Sequence, residues 1–498
     1  MEFTEYNLAR IREVNRKSII EKNDYILYWM QAYRRLNHNH ALDYANHLSH
    51  TYQKELILFE GLRSNYPWNS ERIHSFVLEG MKDNYGQAKK LGLNYFCYVE
   101  TDKEISKNIL LDFASNACAV ITDDFPCFII PNQIEKLSNK IDVKLIAVDS
   151  NSIIPISKYG EVSWAARGLR TRIHKNFEEA YLNKSQKELT FFQPKKKTKF
   201  KYESFIPTEK NISEVLKKIK FSNEVPKVEI FGGYSEAKKK LNLFLEKNLN
   251  RYKDFRSNPH SPEITSGSAL SPYLHFGHIS VDEIITEVFN FNSKKEWTIK
   301  NLNSELKGDR EKFFHSNPNI NSYLDELLTW RDIGYLFFWN KKEFNKDLKS
   351  LPDWIKENLK KHASDKREYV YSKKEFEEAK THDQIWNSAQ KELVITGKMH
   401  NYMRMLWGKK IIEWSKTYKE AFEIMEDFNN KYALDGRNPN SYTGILWCFG
   451  LFDRPWFPER PVHGVLRYMS SDSTKRKFKL GEYLDYIKKL ENKSESLF

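Results

Sequence analysis

A chain of 498 residues with 40% apolar content is too long for one small domain and can bury more than one core. Its four cysteines, Cys97, Cys118, Cys127 and Cys448, lack pairing or metal-ligand spacing, which argues against a disulfide-stapled or metal-binding protein and for a reduced, cytoplasmic one. The net charge of +13 points to a polyanionic partner, no apolar run reaches membrane-spanning length, and MEFTEYNLAR does not read as a secretion signal.

In chain order, residues 1–23 read as a charged lead-in helix. Short apolar runs then alternate with helical patterns. The runs ILYWM (26–30), ELILFE (55–60), NYFCYV (94–99), CAVIT (118–122) and VKLIAV (143–148) predict strands. This alternation predicts an α/β, doubly wound, Rossmann-like parallel sheet over residues 1–185. No GxGxxG follows the first strand, so the dinucleotide fingerprint is missing. Residues 186–209 include Lys195, Lys196, Lys197, Lys199 and Lys201 and read as a basic interdomain linker, with a DNA contact as the second reading. From 210 to 498 the pattern becomes an all-α domain, opened by YSEAKKKLNLFLEKNLNRY. In TSGSALSPYLHFG, Ser271 and Pro272 mark a helix entry whose free N–H groups suit a phosphate, although from the local pattern alone simple capping is the stronger reading. Residues 290–322 are polar and read as an exposed loop. DELLTWRDIGYLFFW (325–339) reads as a buried helix with Glu326 and Trp330 on one face.

The densest chemistry lies between Thr381 and Trp447. Asp383 is placed as an N-cap and Gly397 as a helix stop. In the next helix Arg404, Trp407, Ile411 and Trp414 share one face, and the two indoles stand about 10 Å apart along the axis. A core stripe accounts for the indoles. It does not account for an arginine on the same face, which needs a carboxylate, and Asp435 in LDGRNPN is the nearest candidate.

THDQIWNSAQ, GKMHNYMRMLW, KKIIEW, LDGRNPN and the later RYM and KRKF, in that order, resemble the flavin-binding core of the photolyase/cryptochrome family, and within it the class II cyclobutane pyrimidine dimer photolyases. YILYWMQ and TDDFPCFIIP extend the resemblance to the N-terminal part, while LFDRPWFP differs in local length from the class pattern. The resemblance implies non-covalent FAD in the helical domain and a deazaflavin antenna chromophore in the sheet domain. It implies light-driven repair of a dimer flipped out of double-stranded DNA, by a monomer, with electrons from photoexcited reduced FAD.

By the same resemblance Tyr252, Thr265, Ser266, Gly267, Ser268, Leu270 and Ser271 cradle the FAD diphosphate, and Arg404, Asp435 and Asn429 border its ring system. Glu326 hydrogen-bonds the thymine carbonyl, and Trp330, Met405 and Trp447 pack on the dimer. Trp407, Trp386 and Trp414 form a proximal-to-outer electron relay ending at solvent. Arg454 and Arg467 fill the gap left by the flipped dimer, and Lys475, Arg476 and Lys477 are candidates for phosphate contact. Competing readings are a cryptochrome-like blue-light receptor without repair and a six-four photoproduct enzyme. The latter uses a histidine near the dimer, where Met405 follows Arg404 here.

Overall fold

A computed structural model of the chain describes residues 3–102, 108–185, 188–260, 266–291, 297–340 and 347–495. By internal packing the chain forms two compact units. One comprises Met1–Glu161, Arg170–Leu245 and Ser268–Asp332; the other comprises Val162–Leu169, Glu246–Gly267 and Ile333–Phe498.

The first unit is built on a mixed six-stranded sheet in the order β1-β6-β5-β2-β3-β4. Its strands are β1 (Ile11–Glu13), β2 (Tyr25–Met30), β3 (Glu55–Leu62), β4 (Asn94–Val99), β5 (Ala117–Asp123) and β6 (Lys144–Val148). All neighbouring pairs are parallel except β1, which runs antiparallel to β6 with Ile11 opposite Val148. Every residue of β2 and β5 is buried, as central parallel strands covered on both faces require. The lead-in helix expected over 1–23 is reduced to Glu5–Leu8, and Ile-Arg-Glu closes the sheet edge instead. A short strand carrying charges is a poor template for further pairing.

Strand order reverses between β2 and β5, the place where open α/β sheets leave a ligand crevice. Here the Asp123 carboxylate accepts N–H bonds from Gln31 (2.8 Å), Ala32 (2.6 Å) and Tyr33 (2.9 Å), and the Tyr28 hydroxyl donates to it at 2.6 Å. The protein's own anion therefore occupies the turn that a glycine-rich phosphate loop would use.

Three sequence expectations change in this unit. Phe200 and Tyr202, from the basic segment, stack on Phe113 at 4.3 and 6.4 Å between ring centroids, so this stretch packs on the sheet unit while Lys195, Lys196, Lys197 and Lys199 stay exposed. The segment 290–322 is not one exposed loop, because Trp297, Phe313, Phe314 and Ile320 are buried. Finally, the helices Glu209–Leu216, Tyr234–Leu243, Val281–Asn290 and Pro318–Leu324 belong to the sheet unit. The first two pack on Glu71–Lys90. An amphipathic stripe announces that a helix is packed, but it does not name the partner.

The second unit is helical. Its central element is Asn401–Trp414, which packs against Gln384–Thr396, Tyr418–Tyr432 and Pro439–Cys448. Asp383 caps Gln384–Thr396 by accepting from the N–H groups of Ile385 (2.9 Å) and Trp386 (3.0 Å), and Gly397 ends that helix at φ 74°. No helix among the described residues is long and apolar enough to cross a membrane.

Candidate functional site

The central helix carries the site. His400 caps it, its Nδ1 accepting from the Tyr402 N–H at 3.2 Å, and burial lowers the His400 imidazole to about 4. A neutral ring keeps an acceptor free for that cap. One helical turn on, the Arg404 guanidinium donates to Asp435 Oδ1 at 2.7 Å and to the Met399 carbonyl at 3.3 Å. The Arg404 side chain is 29% exposed and that of Asp435 12%, so the pair is half-buried rather than sealed in the core.

Asp435 is held by a loop that local sequence reading did not explain. Arg437 sits at φ 62° with its guanidinium folded back onto the carbonyls of Asn430, Ala433 and Leu434. It thereby satisfies carbonyls left open at the end of Tyr418–Tyr432. The Asn430 side chain accepts from the Arg437 N–H (2.8 Å) and donates to the Tyr442 hydroxyl (3.0 Å). The Ser441 hydroxyl donates to the Asp435 carbonyl at 2.8 Å. Gly436 passes so close to the Asn429 carbonyl that a Cβ would stand 2.6 Å from it, so the turn tolerates no side chain there. The signal was present in NNKYALDGR, where Asn430 and Arg437 stand on either side of the acid, but only tertiary packing assigns their bonds.

Asn429 stands in the last turn of the same helix. Its Nδ2 is buried and has no hydrogen-bond partner among the described residues, an arrangement that natural interiors avoid unless something else accepts from it. A ligand ring with exposed acceptors would answer that donor, so the donor chemistry of Asn429 and Arg404 suits a polar heterocycle.

Two of the three indoles pack together. Trp386 is fully buried, and its ring meets Trp414 edge-on at 6.1 Å between centroids. Trp386 reaches Trp407 at the backbone, its Nε1 donating to the Trp407 carbonyl at 3.0 Å. The Trp407 indole donates from Nε1 to Gln390 Oε1 at 2.9 Å. Trp414 is only 2% exposed, so the outermost indole does not reach solvent, contrary to the relay expected to end there. Its other ring neighbours are Tyr371 (5.8 Å) and His382 (4.9 Å), and the Tyr371 hydroxyl bonds His382 Nδ1 at 2.6 Å.

Met405 and Trp447 are half-buried, and the Cys448 thiol donates to Met405 Sδ at 3.8 Å. Arg454 and Arg467 are exposed and converge on Trp456, with guanidinium-to-ring distances of 4.6 and 5.3 Å. Lys475, Arg476 and Lys477 are exposed at the end of Ser471–Lys477. Of the diphosphate set, the Ser266 hydroxyl donates to the Tyr252 carbonyl at 3.4 Å in the helical unit, and Gly267 follows in the same unit. Ser268, Leu270 and Ser271 belong to the sheet unit, where Ser271–His275 is a helix with proline in its first turn. Thr265 lies outside the described residues. Glu326 and Trp330 are in the sheet unit on a π-helical turn, Asp325–Trp330. There Asp325 is gripped by Arg170 at 2.7 and 2.9 Å and by Arg310 at 3.1 Å, while Glu326 lies 3.9 Å from Arg310. π turns interrupt helices at functional positions more often than chance.

No family model matches the chain. It is 30% identical over 483 residues, 97% of its length and 98% of the relative's, to a deoxyribodipyrimidine photo-lyase of Methanothermobacter thermautotrophicus. A deoxyribodipyrimidine photo-lyase of Arabidopsis thaliana is 30% identical across 93% of the chain and 89% of that protein. Among solved structures, a bacterial class III photolyase from Agrobacterium tumefaciens superposes with a TM-score of 0.64 at 17% identity, covering 93% of this chain and 86% of the other.

Proposed function

This chain belongs to the photolyase/cryptochrome family and is a photo-lyase of DNA repair, and on that premise we propose that it reverses cyclobutane pyrimidine dimers in DNA using light and FAD held in the helical unit. The observation that carries the cofactor assignment is the conjunction of an orphaned buried amide at Asn429, an Arg404–Asp435 pair and the buried tryptophans Trp386, Trp407 and Trp414 in one helical unit.

When bound, reduced FAD would supply one electron from its excited state to the dimer and recover it after the cyclobutane bonds part. The protein's residues set the conditions for that exchange. Arg404, oriented by Asp435, presents a fixed positive charge. Asn429 offers N–H donors that need no reorganisation, because nothing else among the described residues accepts from them. Trp407, Trp386 and Trp414 are assigned to inward electron transfer: the Trp386 ring packs on Trp414, and its Nε1 meets the Trp407 backbone carbonyl. Within the helical unit Tyr252, Ser266 and Gly267 are assigned to the diphosphate. Met405 and Trp447 of the same unit are assigned to the dimer, and Arg454 and Arg467 to the opened duplex. The crevice at the strand reversal is taken by Asp123, so no antenna residues are assigned and no step is routed through a second chromophore.

The deciding experiment uses the flavin-loaded protein after chemical reduction. It is mixed with an oligonucleotide holding one thymine dimer and illuminated with near-ultraviolet or blue light. Loss of the dimer in light and not in darkness is the expected result. Dimer persistence despite a fully reduced bound flavin sinks the repair reading.

A further inference from the structure

Phe457 is the most exposed large apolar side chain among the described residues, at 77%. Isolated exposed apolar residues are ordinary on protein surfaces. This one is unusual in how firmly its backbone is held. The segment 453–467 is tied down at several points. The Val462 N–H donates to Asp365 at 2.8 Å, and the Tyr418 hydroxyl donates to the Val462 carbonyl at 2.7 Å. Asn358 donates to the His463 carbonyl at 3.1 Å and accepts from the Val465 N–H at 2.9 Å. The Trp456 N–H bonds the Val465 carbonyl at 2.8 Å. Gly464, at φ 54°, permits the turn, since a Cβ there would stand 2.1 Å from Asn358 Oδ1. Lys361 pairs with Glu459 at 2.7 Å. These bonds hold the chain on both sides of Phe457, at Trp456 and from Glu459 onward.

The charges held on the neighbouring Trp456 ring point to a partner. Trp456 is half-buried and carries both Arg454 and Arg467 on its ring, while its Nε1 donates to Asp453 at 3.0 Å. Two guanidiniums are thus fixed on the residue preceding an exposed phenyl ring. Cations that track a phosphate backbone beside an aromatic face that accepts a base form the common device for gripping unpaired nucleotides, and apolar side chains of this kind also enter between base steps. A protein partner reading only apolar area would not need the paired guanidiniums.

We propose that Phe457 is a stacking wedge: it takes a base unstacked where the damaged duplex opens, while Arg454 and Arg467 hold the adjoining backbone. This rests on the DNA-repair reading and adds to it a residue that supplies discrimination for opened over intact duplex.

The test compares the flavin-loaded parent with Phe457→Ala and Phe457→Trp, using fluorescence anisotropy on a dimer-containing duplex and its undamaged counterpart, with 2-aminopurine opposite the dimer as a second readout. Loss of one stacked base predicts that Phe457→Ala binds the damaged duplex about 5- to 150-fold more weakly. Phe457→Trp should keep the affinity. The salt slope should not change, since no phosphate contact is removed. The 2-aminopurine should be quenched less by Phe457→Ala than by the parent. Parent-like affinity in Phe457→Ala overturns the proposal, as does an equal loss on undamaged duplex. A parent that self-associates through Phe457 also overturns it, by naming a second copy of the chain as the occupant. A parent that fails to prefer damaged over intact duplex sinks the repair reading and the wedge together, an outcome visible without any variant.

Discussion

Trp407 is a packed core side chain to which the proposed function also assigns electron transfer. It is 5% exposed, and its indole N–H is bonded to Gln390, which is itself fully buried. Trp407→Phe removes the readily oxidised ring and leaves Gln390 Oε1 without its donor. Photoreduction of the oxidised, flavin-loaded variant should fall by more than about tenfold in steady illumination, while chemically reduced variant still repairs the dimer. Leaving the acceptor unsatisfied should also lower stability by roughly 1–3 kcal/mol, read as a shift in the denaturant midpoint. Retained photoreduction would mean that electrons enter by another route. The pairing of Arg404 with Asp435 could be anticipated in the sequence, because a guanidinium on an indole face demands a carboxylate. The support from Arg437 and Asn430 could not, because an arginine at positive φ bonding to its own loop leaves no periodic trace.

Among the elements, the Asn401–Trp414 helix is constrained by what faces it. A Cβ on Gly408 would lie 2.4 Å from Cys448 Sγ and 3.0 Å from Met425 Sδ. Gly408→Ala gains about 1 kcal/mol of helix propensity. It also overpacks a full interior, which costs about 1–3 kcal/mol. The second effect should win, lowering the thermal midpoint, and Cys448→Ala introduced in the same chain should recover most of the loss. A single variant as stable as the parent would show that Pro439–Cys448 shifts freely. The strands were legible element by element, since five apolar runs fall on β2 to β6 to within a residue or two at each end. β1 was not, because three residues with two charges carry no strand pattern. The buried aromatics of 297–324 were hidden by the asparagines and lysines between them.

For the molecule as a whole, buried imidazoles set the response to acid. Burial lowers His40, His74 and His400 to about 4 and His278 to about 3, against an ordinary 6.5. These rings stay neutral when folded, so between about pH 6.5 and 4 the unfolded chain binds more protons. Their contribution is present above pH 6.5 and is lost as pH falls through that window. Burial raises Asp332 and Glu79 to about 6, which acts in the opposite sense below pH 6. Those two carboxyl shifts are smaller than the four histidine shifts, so net stability should fall. The thermal midpoint should therefore drop steadily from pH 7 to 4.5, and a flat profile would contradict this balance. The same scale decides how charge leaves the interior. Trp414 is sealed off and its ring contacts pass to a Tyr371–His382 couple beside Tyr369, which is 40% exposed, so under the proposed function a dissolved thiol or other external reductant cannot collide with any of the three assigned indoles. The aromatic route left to it starts at the Tyr369 phenol on the surface and passes to Tyr371, whose hydroxyl lies 2.6 Å from His382 Nδ1.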